Sequence, residues 1–127
     1  MMKGIVITTD NKVGVRQFGL PLYKTVGKVV GGYIEIVHPK GLPKPYIMIV
    51  NEEGLLRDLP LNKTGGFLYQ TYIHGYPIVG DIVIMKIEDS SDGPDVVGLS
   101  DSDIQRLMPE FLKWNTPMEM EEKNNVY

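Results

Sequence analysis

Glu35, Glu52, Glu53 and Asp81 are, by residue type and spacing, the strongest candidates for chemistry. A general acid and its base need two carboxyl groups in different environments, so that their pKa values are driven apart. A strand position at Glu35 followed by a turn at Glu52 and Glu53 could supply such a pair. A small hydrolase or transferase working through Glu35 with Glu52 or Glu53 is therefore one reading. The competing reading is an exposed strand position beside a solvated turn. His38 and His74 are the only histidines, and neither stands at metal-ligand spacing. The chain has no cysteine, which excludes a disulfide framework, thiolate chemistry and Cys-type zinc sites; no metal or cofactor is expected. Ser90, Ser91, Ser100 and Ser102 lie outside any nucleophile-elbow sequence, and helix capping accounts for the last two.

Other segments suit binding rather than bond-making. Lys63-Thr64-Gly65-Gly66 departs from the P-loop order, but consecutive glycines ahead of a short helix can turn backbone N–H groups toward an anion, with Lys63 adding charge. A plain loop is the alternative. Tyr69 and Tyr72 could stack on a ligand or pack in the core, since a tyrosine suits a place that is apolar at one end and wet at the other. With Asn51 and Asn62 these residues make up the candidate ligand-binding set. His38, Lys40 and Lys44 form a basic tip on a loop stiffened by Pro39, Pro43 and Pro45, and are candidates for contact with a partner protein.

The elements that must hold these residues follow from pattern. Gly4 to Thr9 and Val13 to Phe18 read as a hairpin around the turn residues Asp10-Asn11-Lys12. Pro21 fits a helix start and Gly31-Gly32 its end. Tyr33 to Val37 and the apolar run Tyr46 to Val50 read as an antiparallel pair. Phe67 to Tyr72 could form one or two helical turns. Asp81 to Ile87 is a strand and Asp89 to Asp95 an acidic flexible loop. Ser100 caps a C-terminal helix whose Ile104, Leu107, Met108 and Phe111 face the core, and Pro109 should kink or split it. The fold class is α+β: a mostly antiparallel sheet with about two helices packed on one face. Residues 1–116 are expected to form a single domain and residues 117–127 a flexible acidic tail.

Length and charge narrow the functional classes. A chain of 127 residues with 43% hydrophobic residues suits one globular domain. A net charge of −3 argues against general nucleic-acid binding. No apolar run is long enough for a bilayer, and the stretch Met1 to Ile7 is too short for a signal peptide, so a cytoplasmic protein without membrane contact is expected.

Five blocks carry a resemblance: Val30-Gly31-Gly32-Tyr33-Ile34-Glu35, Asn51-Glu52-Glu53-Gly54, Leu59-Pro60-Leu61-Asn62, Val79-Gly80-Asp81-Ile82-Val83-Ile84 and Gly98-Leu99-Ser100-Asp101-Ser102-Asp103-Ile104. In this order they resemble the DUF3846 family of small proteins from bacteria, phages and other mobile elements. The resemblance implies an accessory protein of a mobile element and transfers no site residue. The functional expectation is a non-catalytic binding protein that captures a small anionic, nucleotide-type ligand or a host protein, and so modulates host physiology or defence. The hydrolase or transferase is the rival, and a homo-oligomeric adaptor is a third reading.

Overall fold

The computed structural model describes residues 1–118. The elements are β1 (Met2–Ile7), β2 (Lys12–Phe18), α1 (Leu22–Val30), β3 (Ile34–Val37), β4 (Tyr46–Asn51), α2 (Lys63–Tyr69), α3 (Thr71–His74), β5 (Ile82–Ser90), β6 (Gly93–Val97), α4 (Asp101–Phe111) and β7 (Thr116–Pro117). The strands form one sheet in the order β3-β4-β5-β1-β2-β7, and β6 pairs with β5. All pairings are antiparallel except that of β2 with β7.

Local chemistry explains most of these elements. Asn11 takes the left-handed turn conformation, at φ 63°, between β1 and β2. α1 follows Pro21 and stops at Gly31, whose φ of 90° lets its N–H reach the Gly27 carbonyl. α4 opens with a capping box: the Ser100 hydroxyl accepts from the Asp103 N–H, and the Asp103 carboxylate accepts from the Ser100 N–H.

The sheet is covered on both faces, which corrects the expectation of helices on one. Ile47, Ile49, Val83 and Met85 point to one side, where Val26 and Val30 of α1 cover them. Met48, Val50, Ile82 and Ile84 point to the other, beneath Leu68 of α2 and Leu107 and Phe111 of α4. Alternation along β4 and over Ile82 to Met85 of β5 sends apolar side chains both ways, so neither stretch has a face that tolerates water.

Three further expectations need correction. The acidic segment after Ile87 is not a loop: β5 runs to Ser90 and returns as β6, with Glu88 opposite Asp95. Gly93, at φ 105°, supplies the turn. This hairpin end is largely exposed, which is why a paired stretch reads as polar. Pro109 does not split α4, which continues to Phe111; Leu107 and Phe111 are both buried and anchor the last turns across the missing N–H. The expected tail begins too early, because Pro117 pairs with Val13 and the Met118 N–H donates to the Val13 carbonyl. Residues 119–127 of that tail lie outside the described residues.

Candidate functional site

A cavity of about 450 Å3 opens between α2, α4 and the proline-rich 39–45 loop. Leu42, Leu68, Leu107 and Phe111 give it an apolar lining, and Tyr46, Arg106, Glu110 and Lys113 add polar atoms. Phe67 and Trp114 also line it, their ring centroids 4.3 Å apart at a 46° tilt. Both rings stay about half exposed, at 45% and 50%. Aromatic surface of this kind, left partly wet beside a concave apolar wall, is the usual composition of a small-molecule site.

The charges at this cavity are held by a buried anchor. The Tyr46 hydroxyl donates to Asp103 Oδ1 at 2.7 Å, and Arg106 Nη1 donates back to that hydroxyl at 2.7 Å. Lys86 Nζ meets Asp103 Oδ2 at 2.7 Å. Burial alone would raise the Asp103 pKa, but the hydrogen bonds from Lys86, Tyr46 and Ser100 outweigh it and hold the carboxyl well below the usual carboxylate range. Burial first, and the Asp103 carboxylate second, push the Tyr46 phenol up. The guanidinium of Arg106 is thus positioned by Tyr46 and by Asp103, whose Oδ1 lies 3.8 Å from its Nη1, while the rest of the side chain remains solvent-exposed. Lys113 lies 3.2 Å from Glu110, an exposed pair that costs little to rearrange.

The loop wall depends on one glycine. The Gly41 N–H donates to the Leu68 carbonyl at 2.8 Å, and a Cβ at Gly41 would lie 2.7 Å from that same oxygen. Gly41→Ala should therefore push the loop off α2 and lower stability by about 2 kcal/mol, read as a fall in the chemical denaturation midpoint.

The sequence-derived candidates distribute unevenly. The anion cradle expected at Lys63-Thr64-Gly65-Gly66 does not form. These residues lie inside α2, where Asn62 Oδ1 accepts the Gly65 N–H and the Asn62 carbonyl accepts the Gly66 N–H. A Cβ on Gly65 would stand 2.7 Å from Ile78 Cγ2, so this glycine serves packing. Thr64 lines the cavity, but its hydroxyl is paired with buried Asn115. Lys63 is exposed at the helix start. Asn62 is 2% exposed and donates to the Ile7 and Gly80 carbonyls. Asn51 donates to the Val30 carbonyl and accepts from the Glu53 N–H. Both asparagines spend their hydrogen-bonding capacity inside the fold. Tyr72 stacks on Phe67, centroids 6.0 Å apart, at the edge of the cavity wall. His38, Lys40 and Lys44 are exposed on the loop that forms the wall, while Leu42 and Pro43 of that loop face the cavity. Sequence reasoning missed Phe67, Arg106, Lys113 and Trp114. The one signal for them is an aromatic and a pair of cations standing off the apolar stripe of α4 and just past its end.

The carboxylates divide as well. Glu35 and Glu52 line one second cleft, of about 410 Å3, together with Tyr69. Glu53 instead lies 3.8 Å from Arg57, and Asp81 accepts the Thr9 N–H at 3.0 Å. Burial pushes the Asp81 carboxyl up against the pull of that bond, with Asp10 adding in the same direction. No group of three or more His, Cys, Asp or Glu able to hold a metal ion occurs among the described residues. No helix among them is long and apolar enough to cross a membrane.

Comparison with known proteins gives one match. The family model described as "Domain of unknown function (DUF3846)" covers residues 2–112. No curated protein and no solved structure matches the chain.

Proposed function

The chain belongs to the DUF3846 family, and we propose that it is a non-catalytic binding protein that captures a small planar anion of the nucleotide type between α2, α4 and the 39–45 loop. The observation that carries this reading is the pairing of the Phe67–Trp114 rings with the exposed Arg106 guanidinium on one cavity. An aromatic base can stack on the rings, and a phosphate can accept from the guanidinium in a bidentate fork. The volume of about 450 Å3 lies within the roughly 300–1,000 Å3 range of small-molecule sites. The mobile-element setting implied by the resemblance, with host physiology or defence as the target, belongs to the same proposal. Calorimetry with adenosine monophosphate and a panel of related nucleotides tests it. Saturable binding is expected, at least tenfold weaker in Arg106→Ala; heat of binding that is absent for every nucleotide would remove the ligand reading.

A second reading rests on one observation: Glu35 and Glu52 line a common cleft. It assigns them acid and base roles in a hydrolase or transferase, without Glu53. Incubation of candidate ligands with the protein, followed by mass spectrometry, separates the readings. Product that disappears with Glu52→Gln would favour chemistry over capture.

A further inference from the structure

The second cleft has the opposite electrostatic character to the first, and its chemistry suits a different ligand. Glu35 and Glu52 stand on its lining with Tyr69, Tyr76 and an apolar surface that includes Val50 and Ile78. No lysine, arginine or histidine is among the residues that line it. Neither glutamate carboxylate has an ion-pair or hydrogen-bond partner among the described residues. The tyrosine wall is also braced from behind. The Tyr69 carbonyl can only accept, so His74 Nε2, 2.7 Å away, carries the proton; the Tyr76 N–H donates to His74 Nδ1 at 3.1 Å. The imidazole lies 4.9 Å from the Tyr69 ring and 5.4 Å from the Tyr76 ring. The His74 imidazole thus holds the backbone of both tyrosines and touches both of their rings.

We propose that this cleft is a binding site for a small organic cation, an alkylammonium group carried on a short apolar chain. The ammonium sits between the Glu35 and Glu52 carboxylates and against the negative faces of the tyrosine rings. The alkyl chain covers Val50 and Ile78. The two carboxylates are exposed and unpaired, so a cation neutralises them without displacing an internal partner. The volume of about 410 Å3 is that of a small-molecule site. This site is independent of the nucleotide-type cavity: Leu68 of α2 lines one and Tyr69 the other, and no charged side chain is shared.

The test titrates the full chain with n-butylammonium and, separately, with n-butanol, an uncharged chain of the same length, while the Tyr69 and Tyr76 ring signals are followed by NMR. Saturable shifts are expected with the ammonium, and at least tenfold weaker binding with the alcohol. The double variant Glu35→Gln, Glu52→Gln should weaken ammonium binding at least tenfold while keeping its melting temperature, because both side chains are exposed. His74→Ala, which removes only the brace behind the tyrosines, should weaken ammonium binding by a smaller factor. Equal binding of alcohol and ammonium, undiminished binding in the double variant, or no saturable shift at all would each overturn the proposal. Adenosine monophosphate binding measured on the same double variant keeps failure here distinct from failure of the nucleotide reading.

Discussion

Asn62→Ala should lower the stability of the fold by about 4 kcal/mol, a large share of the roughly 5–15 kcal/mol available to a domain of this size. The reason is that one buried side chain satisfies groups from three separate segments. Asn62 Nδ2 donates to the Ile7 carbonyl at the end of β1 and to the Gly80 carbonyl ahead of β5, each at 3.0 Å. Asn62 Oδ1 caps α2 through the Gly65 N–H at 2.9 Å. Alanine strands all three backbone groups where water has little access. Asn62→Ser keeps the cap and loses the two donated bonds, so it should recover only about 1 kcal/mol. Urea denaturation of the wild type and the two variants gives the series directly. Full stability in Asn62→Ala would contradict this account of its three bonds.

Asp103→Ala should cost about 3 kcal/mol at neutral pH and flatten the acid limb of the stability curve. The carboxylate accepts from Tyr46, Lys86 and the Ser100 N–H, and its removal leaves a phenol, a part-buried ammonium and a helix start without their acceptor. Lys86 keeps some contact with water, which holds the cost below that of a fully enclosed pair. The direction of the pH effect follows from the depressed pKa of the folded state. Below roughly pH 4 the unfolded chain takes up a proton at Asp103 that the folded chain still refuses, so stability present above that pH is lost as the pH falls further. Asp103→Asn should show the same flattening, since it cannot titrate. Denaturation midpoints measured from pH 6 down to about pH 2 check both variants; an unchanged acid slope in Asp103→Asn would place the acid sensitivity elsewhere.

The contrast between these two residues shows what a sequence can and cannot disclose. The start of α4 was legible at Ser100, because a helix cap is a local pattern, one that the structure completes with Asp103. The bonds of Asp103 to Tyr46 and Lys86 were not, because tertiary packing alone brings β4 and β5 to α4. Asn62 looked like a free polar group beside a lysine and two glycines, yet its partners come from positions 7 and 80. The β1–β2 hairpin, the β3–β4 pair and the limits of α1 were readable for the same local reason: turn residues and alternation lie within a few positions of what they specify. The placement of α1 on the far face was signalled only by the all-apolar run of β4, which has no wet side. β6 and β7 were missed because they pair at the sheet margin with polar residues.

The candidate site was half legible. The proline-rich loop and the α2 segment do converge, but through Leu42, Pro43 and Phe67 rather than through Lys40, Lys44 and Lys63. The charges come from Arg106 and Lys113, on and just beyond a helix whose apolar stripe drew the attention. The expected carboxylate group reduces to Glu35 and Glu52 for the plain reason that Arg57 draws Glu53 aside and the Thr9 amide holds Asp81.

Trp114 is the sole tryptophan of the chain and lines the proposed nucleotide-type cavity beside Phe67. Its fluorescence therefore reports on that cavity alone. Titration with adenosine monophosphate should quench it saturably, and adenosine, which lacks the phosphate that meets Arg106, should require at least tenfold more ligand for the same effect. Emission that stays constant with both, or that responds equally to both, would contradict the capture of a planar anion at this site.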